Sequence, residues 1–172
     1  MDYPKNKAGR IIPLKILPGP DNMAIDILLL EESINRKGFL ACFRLYKWDG
    51  IWLSIGKNQS SIPKRWERLC KNNKLNIVRR PTGGSAVLHA GGITYSIIRP
   101  YERALKSHSY KEQSQWLIKC FKQLGVALSF GSNSQESELE NCFISSTKAD
   151  LIDPNGNKIV GSAQLWRKKH LL

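Results

Sequence analysis

Short apolar runs broken by turn residues follow one another along the whole chain, and their spacing predicts a mixture of strands and helices. Ile11 to Leu17 alternates weakly and stops at Pro18-Gly-Pro-Asp-Asn22, so a first strand and a turn are expected there. Asp21 or Asn22 is suited to cap a helix from about Met23 to Asn35, closed by Lys37-Gly38. Ala41 to Trp48 is β-rich. Asp49-Gly50 is a hairpin signal, and Ile51 to Ile55 is expected to return as the next strand. Pro63 to Lys74 reads as a short basic helix with Trp66, Leu69 and Cys70 on one side. Strands are expected at Leu75 to Arg79, Ser85 to Leu88 and Ile93 to Ile98.

Ser109 is placed to cap a helix from Tyr110 to Gln123, whose core face would hold Trp116, Leu117, Cys120, Phe121 and Leu124, with Gly125 as its stop. Val126 to Phe130 reads as a strand and Gly131 to Glu140 as a polar loop. Ala149 to Ile152 and Lys158 to Gln164 are strands around the turn Asp153-Pro-Asn-Gly-Asn157, and Gln164 to Leu172 looks like the start of another hairpin. Strands and helices mix without regular βαβ alternation, so the fold class is α+β. No repeat or linker divides the chain. Residues 1–172 read as a single domain whose C-terminal part is missing, or as a short version of a longer domain.

Composition narrows the class. The 172 residues are 41% hydrophobic and 24% charged, as in an ordinary globular protein. No run is long enough to span a membrane, and the first residues lack the apolar core of a signal peptide, so a cytoplasmic protein is expected. The net charge is +13, from 27 Lys and Arg against 14 Asp and Glu. These cations are scattered and do not interleave with aromatics, which argues against nucleic acid and suits an acidic protein partner. Cys42, Cys70, Cys120 and Cys142 have no metal-finger or C-x-x-C spacing, so reduced thiols and no metal site are expected.

Candidate chemistry gathers in three places. Residues 79–96 read RRPTGGSAVLHAGGITYS. Gly83 and Gly84 allow bare backbone to approach a ligand, and Arg79, Arg80 and His89 suit an anionic or polar one. A tight structural hairpin would need the same glycines. In the stretch Asn155 to Gln164, Lys158 opens a strand after a turn and precedes the small residues Gly161, Ser162 and Ala163. That lysine either sets a point charge on a carbonyl or phosphate oxygen or is simply solvated. Cys142 lies in a polar, serine-rich segment unlike the packing contexts of Cys42 and Cys120, and is a candidate nucleophile.

Together these stretches resemble the lipoate–protein ligase and octanoyltransferase family, which shares its catalytic domain with biotin–protein ligases. The resemblance rests on residues 79–96 and 155–164, with Asn22-Met-Ala-Ile-Asp26, Phe43-Arg-Leu-Tyr-Lys-Trp48 and Leu53-Ser-Ile-Gly56 matching earlier blocks in order. It implies a mixed β-sheet packed with helices. It also implies that Arg79 and Gly83-Gly84 line the acyl pocket, with Arg80, Ser85, Gly161, Ser162 and Ala163 beside the substrate. Lys158 falls at the family's catalytic lysine. His89 falls at its histidine, followed by Ala90 where an aspartate often stands.

The family divides by chemistry. Ligases activate lipoate with ATP and Mg2+ through lipoyl-adenylate; octanoyltransferases need no cofactor and pass an acyl group to a lipoyl-domain lysine through a cysteine thioester. Cys142-Phe143 upstream of Lys158 resembles the cysteine-dependent octanoyltransferases, and Ala149-Asp150 stands where ligases show Asn-Asp. Octanoyl or lipoyl transfer through a Cys142 thioester is therefore the expected function. Acyl carrier protein or an octanoylated carrier domain is the expected donor, and lipoyl-domain proteins are the acceptors. Val87 and Leu88 are candidates for an acyl tunnel. A ligase and an inactive carrier-binding module are the alternatives.

Overall fold

The computed structural model describes residues 9–101, 106–131 and 150–172. In chain order the elements are β1 (Arg10–Leu17), α1 (Gly19–Asn35), β2 (Cys42–Trp48), β3 (Trp52–Ile55), α2 (Lys64–Lys71), β4 (Asn76–Arg79), β5 (Val87–His89), β6 (Thr94–Pro100), α3 (Lys106–Gln123), β7 (Ser129–Phe130), β8 (Leu151–Ile152), β9 (Lys158–Val160), β10 (Trp166–Arg167) and β11 (His170–Leu171). They form two compact units. The first contains residues 9–83, 88–101 and 164–172; the second contains residues 84–87, 106–131 and 150–163. The class is α+β, as the sequence predicts.

In the first unit, β2 alternates strictly, with Cys42, Arg44, Tyr46 and Trp48 buried. It pairs parallel with β1 and antiparallel with β6, within a five-stranded sheet of order β1-β2-β6-β11-β10. Helix α1 lies on this sheet. Its buried positions Asn22, Asp26, Leu29, Leu30 and Ser33 recur at helical spacing, polar at the N-terminal end, apolar at Leu29 and Leu30, and closed by Ser33. Leu29, Leu30, Cys42 and Ile98 form the core, with Ile12, Ile25, Ile34, Phe39, Leu165 and Leu172 against it. Each fully buried aliphatic side chain contributes about 1.5–3 kcal/mol.

The polar end of that stripe meets Arg44. The guanidinium donates to Asp26 Oδ1 at 2.8 Å, to the Asn22 carbonyl at 3.0 Å and to Asn22 Oδ1 at 2.5 Å. Tyr46 and Ser96 hydroxyls donate to the same carboxylate at 3.0 and 2.8 Å. Asn22 is not the helix cap expected of it. The helix begins earlier, at Gly19 after Pro18, and the Asn22 amide instead donates to the carbonyls of Leu17 and Lys47. Gly19 is required there because a Cβ would stand 2.4 Å from the Trp52 ring.

Asp49-Gly50 turns the chain, with Gly50 at φ +83°, yet β2 and β3 do not form the expected hairpin. Successive residues Leu53, Ser54 and Ile55 are buried, so β3 needs cover on both faces. It pairs parallel with β4 and lies between β4 and β5 in a separate three-stranded sheet. The hairpin expected after Gln164 is present: Trp166 pairs with Leu171 and Arg167 with His170, and β11 continues onto β6. Among the described residues strand β1 is an edge. Ile11, Leu14 and Ile16 are exposed on it, and its register with β2 breaks between Ile12 and Lys15.

In the second unit, α3 begins before Ser109, which is buried inside the helix and does not cap it. Ser114 and Leu117 are buried with it, whereas Cys120 and Leu124 are exposed, so the packed stripe is rotated from the apolar one expected. A second three-stranded sheet has the order β7-β8-β9, antiparallel throughout. Among the described residues, no helix is long and apolar enough to cross a membrane.

Candidate functional site

The two arginines at the end of β4 build the turn that follows them. Arg79 donates to the carbonyls of Gly56 at 2.8 Å, Lys57 at 3.2 Å and Gln59 at 2.8 Å. Arg80 donates to the carbonyls of Ser54 and Gly83, both at 2.8 Å, and its backbone N–H reaches Ile55. Lys57 N–H closes on the Thr82 carbonyl at 2.9 Å. Charge-assisted bonds of this kind hold the loop 56–59 and the turn 81–83 in one arrangement. Nothing lies within 4 Å of a Cβ placed on Gly83, so its bare backbone faces open space. Gly84 has a φ of +93°, where an L side chain is strained. Ser85 is exposed beside it.

His89 is fixed from two sides. Its ring stacks on Trp48 with centroids 3.9 Å apart and planes 15° apart. Trp48 is itself tied by its indole N–H to Thr94 Oγ1 at 2.9 Å. The His89 Nε2 meets Ser54 Oγ at 2.9 Å. Arg80 also donates to that hydroxyl, at 3.4 Å. Burial, reinforced by the Arg80 charge, pushes the His89 pKa down to about 4, so the ring is neutral at pH 7.

The second unit carries Lys158. The Asp153–Asn157 turn delivers it: Asp153 Oδ1 accepts from the N–H groups of Asn155 and Asn157, and Gly156 sits at φ +84°. The Asn157 side-chain amide, which donates to Asp153 Oδ2 at 2.9 Å, does most to hold the Asp153 carboxyl below the usual range, and these backbone bonds add to it. Lys158 then opens β9. Its Nζ lies 3.0 Å from Asp150 Oδ1, and both side chains are 5% exposed. It is not a solvated lysine. A buried ammonium is tolerated because the carboxylate neutralises it. Gly161 lies beneath the pair, while Ala163 is exposed and Ser162 half-buried.

Arg79, Arg80, Gly83 and His89 thus meet around one turn of the first unit, and Lys158 and Gly161 meet in the second. Cys142 lies outside the described residues. Among the described residues Cys42, Cys70 and Cys120 are free thiols, and no three His, Cys, Asp or Glu side chains form a metal-binding group. Asp150, Ser54 and Trp48 become partners of the site only in the folded chain, as do Asn22, Asp26 and Arg44 in their network. For Arg44 a signal existed, since strict alternation from Cys42 places it on the buried face. Asp150 offered no such signal, because its contact with Lys158 depends on strand pairing.

Residues 18–172 match the model of the lipoyl protein ligase A/B catalytic domain. The chain is 36% identical over 159 residues to octanoyltransferase LipM of Carboxydothermus hydrogenoformans, covering 90% of this chain and 58% of that protein. It is 34% identical over 165 residues to octanoyltransferase LipM of Bacillus subtilis, covering 88% and 58%. The chain therefore spans 58% of the length of these two curated relatives. In fold it resembles the crystal structure of lipoate-protein ligase A bound with ATP, at a TM-score of 0.74 and 23% identity, covering 95% of this chain and 63% of that one. A bipartite lipoate protein ligase from Thermoplasma acidophilum, studied with its E2 lipoyl domain, gives a TM-score of 0.67 at 23% identity, covering 95% and 58%. The sequence blocks that first pointed this way fall inside the matched span, and the chain belongs to the lipoyl protein ligase A/B catalytic domain family.

Proposed function

We propose that this chain is the catalytic domain of a cytoplasmic octanoyltransferase, moving an octanoyl or lipoyl group onto a lysine of a lipoyl domain. The single observation that carries this reading is that the Lys158 side chain is 5% exposed and held by Asp150; the resemblance makes it the proposed reactive lysine. The names of the relatives and the presence of Cys142 upstream favour transfer over adenylation. The cytoplasm keeps the Cys142 thiol reduced.

The reaction runs in two halves. Cys142 thiolate attacks the carbonyl of an octanoyl thioester on acyl carrier protein or another carrier domain. The Lys158 ammonium stabilises the oxyanion, an interaction whose removal costs roughly 3–4 kcal/mol of barrier. The C–S bond to the carrier breaks, and the carrier thiolate takes up a proton. The acceptor lysine amine then attacks the acyl-cysteine; the amide forms, Cys142 thiolate leaves and the amine proton passes to solvent. No cofactor takes part. Gly83, Gly84, Ser85, Ser162 and Ala163 approach the acyl substrate, with His89 as a neutral contact and Arg79 and Arg80 shaping the turn. The net charge of +13 favours encounter with acidic carrier and lipoyl domains.

Incubation with octanoyl-carrier, followed by intact mass measurement, tests this. The expected result is a covalent octanoyl adduct that disappears in Cys142→Ser and forms far more slowly in Lys158→Ala. An undiminished adduct in Cys142→Ser overturns the nucleophile. Pyrophosphate release from ATP and Mg2+ with free octanoate or lipoate, indifferent to Cys142→Ser, would make the chain a ligase. Carrier binding with neither reaction would make it a binding module.

A further inference from the structure

Lys158 is the first residue of β9, and three residues of extended strand cover about 10 Å. The end of its side chain nevertheless lies against Gly161. A Cβ built on Gly161 would be 3.0 Å from Lys158 Cε, 3.3 Å from Nζ and 3.7 Å from Asp150 Oδ1. The lysine stem therefore runs along its own strand, and its ammonium comes to rest above the bare backbone of Gly161. Gly161 has no left-handed backbone that would by itself call for glycine. Its missing side chain is used by the lysine.

Asp150 supplies the other constraint. It stands immediately before β8, and its carbonyl accepts from the Gly131 N–H at 2.9 Å. Strand β8 pairs with β9, Ile152 opposite Lys158, so the sheet fixes the spacing between carboxylate and ammonium. The pair is 3.0 Å apart with both side chains 5% exposed, so little water competes for either charge. A long, flexible side chain is thereby converted into a point charge with one location.

We infer that Asp150 and Gly161 are positioning residues for Lys158, the carboxylate setting where the ammonium sits and the glycine leaving the space it occupies. This assigns Gly161 a role different from substrate contact. It rests on the reading of Lys158 as the group that stabilises the acyl carbonyl. A misplacement of about 1 Å in such a group costs on the order of a hundredfold in rate.

The test uses the full chain carrying Gly161→Ala, Asp150→Asn or Lys158→Ala, with melting temperatures as a folding control. Two readouts are compared: acyl loading of Cys142, and amine acetylation at Lys158 followed by peptide mass. Gly161→Ala is expected to lower the loading kcat about a hundredfold with KM unchanged. Asp150→Asn is expected to raise Lys158 acetylation from protected to the level of the exposed Lys57. Wild-type loading in both variants, with Lys158→Ala inactive, overturns the positioning role and leaves the proposed reaction standing. Unchanged acetylation in Asp150→Asn also overturns it. Wild-type loading in Lys158→Ala overturns the proposed reaction instead, and the acetylation readout then still decides whether Asp150 fixes the lysine.

Discussion

Arg44 and Asp26 meet 2.8 Å apart beneath α1, with side chains 1% and 6% exposed. The guanidinium also stacks over the Tyr46 ring, 3.9 Å from its centroid. A pair this dry gains little over an apolar pair of the same volume, but breaking it strands a charge. Arg44→Met is expected to cost about 3–5 kcal/mol in urea melts. Adding Asp26→Leu should return a large part of that loss. A single substitution costing under about 1 kcal/mol would show that water reaches Asp26.

The stacked histidine makes stability depend on pH. The folded pKa of His89 is about 4, below its ordinary 6.5, so the unfolded chain takes up the proton first as pH falls. Its contribution is complete above pH 6.5 and is lost as pH falls through about 4. The shift corresponds to about 3 kcal/mol at most. His89→Gln should flatten the difference in unfolding free energy between neutral and acidic pH. An unchanged difference would place the sensitivity elsewhere. In nitrogen NMR, Ser54→Ala should change the distribution of the ring proton between Nδ1 and Nε2.

Two neighbouring glycines should respond differently to the same methyl group. Gly84 has φ +93°, so Gly84→Ala is expected to cost roughly 1–2 kcal/mol. Gly83 has open space where its Cβ would go, so Gly83→Ala should leave the melting temperature unchanged while slowing acyl loading. Equal losses of stability in the two variants would contradict the turn geometry.

The last hairpin is turned by Lys168 and Lys169, at φ 45° and 61°. Such a turn favours Asn-Gly. The double change Lys168→Asn, Lys169→Gly is expected to raise stability by about 1–2 kcal/mol, read as a higher melting temperature. A lower one would mean that the lysine side chains hold the turn by contacts of their own.

Local patterns disclosed most of the elements and less of their partnerships. The alternation of Cys42 to Trp48 and the turn at Asp153 to Asn157 were legible because each is set by neighbours in the chain. The fate of β3 was not, because the Asp49-Gly50 turn fits a hairpin locally while burial of Leu53, Ser54 and Ile55 demands a parallel neighbour. The pattern suits Arg79 and Arg80 to a ligand, and in the fold many of their donors go to carbonyls more than twenty positions away in sequence or across the turn. Lys158 was visible as a candidate. Its carboxylate partner appears only when β8 and β9 pair.

Among the described residues β1 is an edge strand with Ile11, Leu14 and Ile16 exposed on it, a composition that invites strand addition by another molecule. Pro13 lies in that strand and offers no N–H, and the register break between Ile12 and Lys15 disturbs the regular repeat an incoming strand would copy. Lys15 would add a charge to any such interface. The irregularity interrupts pairing with β2 and is expected to hinder self-association through this edge. A sequence variant that straightened this edge would be expected to gain hydrogen bonds and lose solubility.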